Sequence, residues 1–277
     1  MRLAPGVSQY HYNLAVLLQQ TGQSDAAMLE YAATLRLEPR HSGALWNQAN
    51  LLRADERFDA ALALLERLAA IQPDYPGLAL ATAVSLYGLR RLDDAMAWFG
   101  RANAGADASE NARDPLVAWE MAHCVLSTGD WARGFDLYER RFEAGERTGV
   151  RCYPFPFPRW RGESLAGRSI LIHGEQGLGD EIMFANTLPD LQAAVGPEGR
   201  LLLAFDRRLV PLMARSYPAA TAGTYLVAQH NAKDLRLVPW AGKPDYVMPL
   251  GSALPVLRQD LAAFPGAEVV EFVPSKS

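Results

Sequence analysis

Residues 169–186 read Ser169-Ile170-Leu171-Ile172-His173-Gly174-Glu175-Gln176-Gly177-Leu178-Gly179-Asp180-Glu181-Ile182-Met183-Phe184-Ala185-Asn186. A short apolar run, Ser169 to His173, enters a loop holding Gly174, Gly177 and Gly179, and an amphipathic helix follows Asp180. This is the order of a first strand, loop and helix in a parallel α/β domain. Glycines let the backbone turn sharply and approach a ligand closely. The helix N-terminus offers unpaired N–H groups to an anion or a sugar hydroxyl.

The common phosphate loops fit this stretch badly. A dinucleotide fingerprint needs G-x-G-x-x-G; Gly177 and Gly179 supply the first pair, but Ile182 stands where the third Gly belongs. A Walker A loop needs Lys after its last Gly, and Asp180 follows Gly179 instead. A carboxylate there repels a triphosphate, which argues against a nucleoside triphosphatase or a nicotinamide enzyme. An acid presented on a glycine loop suits a general base or a hydroxyl acceptor. Asp180 also suits a helix start on dipole grounds alone, and the two roles are compatible. His173 is a weaker candidate, since a strand-end histidine often serves only as a hydrogen-bonded core group. Glu175 and Gln176 are loop residues, weaker candidates for binding acceptor hydroxyls. His173-Gly174-Glu175 imitates the H-x-E of zinc deaminases, but no P-C-x-x-C follows, so no metal site is expected.

Trp160-Arg161-Gly162, Leu165-Ala166-Gly167-Arg168 and the run Ile170–Phe184 together resemble bacterial tetratricopeptide-repeat glycosyltransferases, relatives of heptosyltransferases and, more distantly, of O-GlcNAc transferases. The resemblance covers residues 1–265. It implies a GT-B fold, two Rossmann-like halves with a cleft between them, and a nucleotide-sugar donor. It also implies that Asp180 matches the acid proposed to deprotonate the acceptor hydroxyl in heptosyltransferases.

The N-terminal half has its own period. Gly22 and Glu56, Ala27 and Ala61, Tyr31 and Leu65, and Pro39 and Pro73 are each 34 residues apart, and Ala95 and Phe99 continue two of the series. This is the tetratricopeptide period. A small residue admits the second helix of each pair, a bulky one fills the next groove, and Pro closes the unit. Repeats are expected at 8–41, 42–75 and 76–103, with a loop over 104–114 and a fourth pair from Pro115 through Gly129-Asp130-Trp131 to Tyr138. No unit buries its apolar face alone, so stacking makes the core. Asn13 and Asn47 hold equivalent places on first helices, where an amide bonds both backbone groups of an extended peptide. O-GlcNAc transferases bind peptides through a ladder of such asparagines; here Ala81 and Glu120 take the next two places. Two solvated asparagines are the plainer reading. Tyr12, Trp46, Tyr87 and Trp119, also on first helices, suit an inter-repeat core.

Fold class follows: an α-solenoid of tetratricopeptide repeats over 1–147, a Pro/aromatic linker over 148–168, a Rossmann-like parallel-sheet domain over 169–265 corresponding to half of a GT-B fold, and a tail over 266–277. In the linker, Pro154, Pro156 and Pro158 enforce extension, and Tyr153, Phe155, Phe157 and Trp160 are too apolar to remain solvated. After the first strand and helix, Arg200–Phe205 reads as a strand and 207–216 as a helix. Thr224–Gln229, Leu235–Pro239 and Asp245–Met248 read as strands of a parallel sheet, and Leu254–Phe264 as a helix.

Net charge is −4 over 277 residues, with no basic footprint for nucleic acid. Residues 1–150 carry 14 Arg against 19 acids, as expected of a solvated repeat array. Two cysteines, Cys124 and Cys152, form neither a disulfide framework nor a metal set. No signal-peptide core or membrane-spanning run is present, and a cytoplasmic protein is expected. The stretch after the linker is too short for two α/β domains. The sequence therefore predicts glycosyl-transfer ancestry, with no tightly bound cofactor and little activity without a separate donor-binding half. The alternative is a scaffold that binds protein or peptide through the array.

Overall fold

The computed structural model describes residues 6–103, 114–147, 150, 153–174, 177–230, 233–258, 262 and 264. The chain divides into two units, Met1–Thr128 and Gly129–Ser277.

The first unit is a run of tetratricopeptide-like helical hairpins. Helices α1 (Ser8–Gln20) and α2 (Ser24–Leu37), α3 (Ser42–Ala54) and α4 (Phe58–Ile71), and α5 (Leu78–Gly88) and α6 (Leu92–Ala102) pair in turn, and α7 (Pro115–Ser127) follows. Ala27, Ala61 and Ala95 are fully buried, as are Tyr31, Leu65 and Phe99, in line with the small and bulky places of the repeat. Tyr12 and Trp46 pack against the core around Ala15, Leu45 and Leu78. Helix α7 starts as its sequence predicts: Pro115 needs no N–H partner, and the Asp114 carboxylate accepts from Leu116 N at 2.9 Å. The expected loop over 104–114 lies, up to residue 113, outside the described residues.

The three hairpin turns share one closure. The backbone N–H of Gln23 donates to Leu18 O, that of Arg57 to Leu52 O and that of Arg91 to Leu86 O, at 2.8, 2.8 and 3.0 Å. The residue before each donor is left-handed: Gly22 at φ 76°, Glu56 at 56° and Arg90 at 61°. This is the helix-terminating geometry that favours glycine, and only the first repeat supplies one.

The second unit begins with α8 (Trp131–Glu139) and α9 (Arg141–Ala144). The expected fourth pair is thus divided: α7 goes with the array and α8 with the sheet, and the division falls at 128/129 instead of 147/148. Arg141 supplies the physical reason. It is 1% exposed, it donates to Glu139 Oε1 at 2.7 Å and to Ser252 Oγ at 3.0 Å, and Ser252 Oγ donates to Glu139 at 2.8 Å. Burial alone would raise the Glu139 carboxyl, but Arg141 and Arg159 together hold it below its ordinary value. A buried arginine so bound cannot be separated from the segment carrying Ser252 without large cost.

Strands β1 (Ser169–His173), β2 (Arg200–Phe205), β3 (Thr221–Thr224) and β6 (Tyr246–Pro249) form a parallel sheet in the order β3-β2-β1-β6. Helices α10 (Leu178–Phe184) and α11 (Leu188–Val195) link β1 to β2, and α12 (Val210–Ser216) links β2 to β3. The Pro/aromatic segment extends this sheet. Val247 N donates to Pro158 O at 2.9 Å and Trp160 N to Val247 O at 3.0 Å, a parallel edge contact on which alternate prolines lose no ladder donor. Phe155 and Phe157 pack on Leu171, Leu202 and Val247.

Two expected strands do not join the sheet. The stretches read as Thr224–Gln229 and Leu235–Pro239 form β4 (Leu226–His230) and β5 (Lys233–Leu237), an antiparallel pair of its own. Two intervening residues can close a hairpin but cannot make the crossover that parallel strands need. The sheet position beside β2 goes to β3, just upstream. The helix read over 207–216 begins at Val210, and that read over Leu254–Phe264 is α13 (Leu254–Leu257), ending at Arg258, beyond which only 262 and 264 are described.

Glu56→Gly and Arg90→Gly relieve left-handed strain that costs about 1 kcal/mol or more per residue, less the chain entropy of glycine. The double variant should gain about 0.5–2 kcal/mol in urea unfolding followed by helix ellipticity; a loss would contradict the strained closure.

Candidate functional site at the carboxyl edge of the sheet

Strand β1 is central, with β2 on one side and β6 on the other, so the chain changes direction across the sheet beside it. Ligands of parallel α/β sheets sit beyond the carboxyl ends of strands at such a point. All five residues of β1 are buried, and His173 ends it at 4% exposed. Burial pushes the His173 imidazole down to about 3; the Gly174 carbonyl bond opposes this, and the nearby Arg236, Arg159 and Arg141 reinforce it. The ring is therefore neutral near pH 7. Its Nδ1–H donates to Gly174 O at 3.0 Å, which leaves Nε2 as an acceptor.

Gly174 is the one loop glycine whose place packing dictates. A Cβ there would lie 1.9 Å from Glu181 Oε1, whereas a Cβ on Gly177 or Gly179 would meet nothing within 4 Å. Glu181 is 2% exposed, and its Oε2 accepts from Asp206 N at 2.9 Å. Burial raises its carboxyl above the ordinary value, tempered by that hydrogen bond and by Arg236. Arg236, on β5, donates through Nη1 to Gly174 O, and its guanidinium lies 3.8 Å from the ring centres of both Tyr153 and Tyr225. The Gly174 carbonyl thus uses both lone pairs, one for His173 and one for Arg236.

Asp180 is the third residue of α10, half-exposed, and no described residue hydrogen-bonds its carboxylate. The helix cap is Gly177, so Asp180 acts on the helix through its dipole and not as the cap. Glu175 and Gln176 lie outside the described residues.

Sequence reasoning missed Glu181 and Arg236. Arg236 carried a signal, the one charge in the stretch Leu235–Pro239 that reads as an apolar strand. Glu181 carried none, because an acid beside Asp180 reads as ordinary first-turn charge. Among the described residues no group of three His, Cys, Asp or Glu could hold a metal, and no described helix is long and apolar enough to cross a membrane.

The array offers a second polar surface. Asn13, on α1, is exposed and accepts from Gln9 Nε2 at 2.8 Å. Asn47, on α3, is half-buried and donates to Tyr12 Oη at 3.4 Å. Along α3, Arg53 Nη1 donates to Asn50 Oδ1 at 3.0 Å, while Arg53 Nε is buried with no hydrogen-bond partner among the described residues. Burial lowers the Arg53 guanidinium and Glu120 partly restores it; burial likewise raises the Glu120 carboxyl and Arg53 opposes the rise. The two charges sense each other without forming an ion pair. Ala81, at the third ladder place, is 2% exposed and lost in the core.

No known family profile matches the chain. Protein FlbA of Caulobacter vibrioides is 30% identical over 257 residues, which are 91% of this chain and 42% of that protein. The chain therefore spans about two-fifths of the length of the curated relative it matches. Among solved structures, Pseudomonas aeruginosa PilF is similar with a TM-score of 0.43 and 17% identity over 78% of this chain and 79% of that one. A variant of Thermobaculum terrenum O-GlcNAc transferase gives 0.44 and 14% over 77% and 41%. YrrB, described as a TPR protein with an unusual peptide-binding site, gives 0.42 and 17% over 52% and 71%. These structural likenesses are weak, and the helical repeats rest on the chain's own turns and core.

Gly174→Ala should cost about 1–3 kcal/mol in urea unfolding of the sheet unit, because Glu181 must abandon its place. Glu181 has a raised folded pKa. Its contribution to stability is therefore fully present below the unfolded carboxyl value of about 4.3 and is lost as pH rises through the folded value. Glu181→Gln should flatten that loss in melts from about pH 4 to pH 7; an unchanged slope would assign it elsewhere.

Proposed function

We propose that this chain is a protein-interaction module whose tetratricopeptide-like array binds an extended peptide along its first helices. The observation that carries this is Arg53 and Glu120, a cation and an acid drawn out of water on α3 and α7 with no ion pair between them. Charges held this way are costly unless a polar ligand completes them. Asn47 and Asn50 lie on the same helix as Arg53, and their amides can meet the backbone of such a ligand.

A second reading is favoured by Asp180. Its carboxylate stands on the first turn after the central strand with no hydrogen bond from a described residue. In a longer protein completed by a donor-binding half, Asp180 would deprotonate an acceptor hydroxyl for glycosyl transfer from a nucleotide-sugar. That half is the further partner this reading needs. The sheet unit would then be the acceptor-side, Rossmann-like half of a GT-B fold. The resemblance of the loop supports this reading, and a nucleotide-sugar titration of the chain beside Asp180→Ala would test it.

For the first reading, peptides selected from a displayed library on the purified chain should lose about tenfold or more in affinity on Arg53→Ala, by fluorescence anisotropy. Asn47→Ala should cost a smaller factor. Failure to enrich any peptide, or affinities indifferent to both substitutions, would overturn the proposal.

A further inference from the structure

The sheet unit holds a cavity of about 140 Å³ lined by Phe142, Tyr153, Phe155, Phe157, Arg159 and His173, among others. An apolar cavity of about 150 Å³ is known to hold one benzene ring, so the space is that of a single six-membered ring. Three phenylalanines and a tyrosine supply faces and edges for stacking a planar guest. The Arg159 guanidinium on the wall pairs with the Glu139 carboxylate, which it shares with Arg141, and lies 5.4 Å from the Phe142 ring centre. A cationic guest would be repelled by these guanidinium groups, and an anionic one would compete with the Glu139 carboxylate for Arg159.

One polar group on the wall remains specific. His173 lies 4.8 Å from Phe155, ring centre to ring centre, and its Nδ1–H is committed to the Gly174 carbonyl. Nε2 must then carry a lone pair, and no described residue donates to it. A guest that reaches Nε2 must bring an O–H or N–H.

We propose that this cavity is a binding site for an uncharged single aromatic ring bearing one hydrogen-bond donor, a phenolic ring being the simplest case. The donor goes to His173 Nε2 and the ring lies among Phe142, Phe155 and Phe157. No residue of this site belongs to the array, so its failure leaves the proposed peptide binding untouched. A free phenolic compound and the tyrosyl side chain of a polypeptide share this chemistry.

Phenol and toluene are suitable probes, because both carry seven heavy atoms and only phenol donates. In amide NMR titrations of the whole chain, phenol should shift resonances around His173, Phe157 and Val247 and bind about fivefold tighter than toluene. His173→Phe keeps a ring and removes the acceptor; it should bring phenol to the level of toluene and leave toluene unchanged. Phenol affinity should also hold constant between about pH 5 and pH 8, since the imidazole stays neutral throughout that range. N-acetyl-tyrosinamide separates the sources: affinity equal to that of phenol assigns a tyrosyl side chain, and weaker affinity a free ring. Toluene binding as tightly as phenol in the unsubstituted protein would overturn the proposal. So would shifts absent from this region, or affinity that falls at pH 5.

Discussion

Glu181 lies so close to Gly174 that any side chain there would displace it, and the candidate edge of the sheet is built on that approach. The acid is buried and must be satisfied, so it takes the backbone N–H of Asp206 at the end of β2. The carbonyl of Gly174 is turned to receive both His173 and Arg236, and Arg236 brings the β4–β5 hairpin and two tyrosine rings with it. A single missing side chain thereby links the end of β1, the end of β2 and the hairpin. Asp180 stands on helix α10, in its first turn.

The array obeys a different constraint. Each hairpin repeats one closure and one small-against-bulky contact, and these local rules recur every 34 residues. Stability in such arrays is close to a sum over neighbouring units. That leaves surface positions on the first helices free to vary, and there the chain departs from its own pattern. Equivalent places hold Asn13, Asn47, Ala81 and Glu120. A departure that places a half-buried cation near a half-buried acid has no evident value to the repeat itself.

The sequence disclosed what depends on local order. The hairpins, the start of α7 at Asp114-Pro115, the span of β1 and β2 and the extended Pro/aromatic segment all follow from periodicity, capping residues and proline geometry. What escaped was set by contacts distant in sequence. Arg141 and Ser252 are 111 residues apart, and their bond takes α8 away from the array to which its repeat pattern points. Arg236 meets Gly174 across 62 residues. The parallel-strand reading of β4 and β5 failed for a local reason, because even the five residues it left between Gln229 and Leu235 are too few for a crossover. At the candidate site, the glycine loop signalled a close approach at the end of β1, but its partner Glu181 was hidden among ordinary helix acids.

Where a ligand engages the chain decides between the two readings. Hydrogen–deuterium exchange on the whole protein, with and without a library-selected peptide, addresses this directly. Protection gained on α1, α3 and α7, with the β1–α10 loop unchanged, is the result that the interaction-module reading predicts. Protection gained at residues 174–181, with the first helices unchanged, would contradict it and move the function to Asp180.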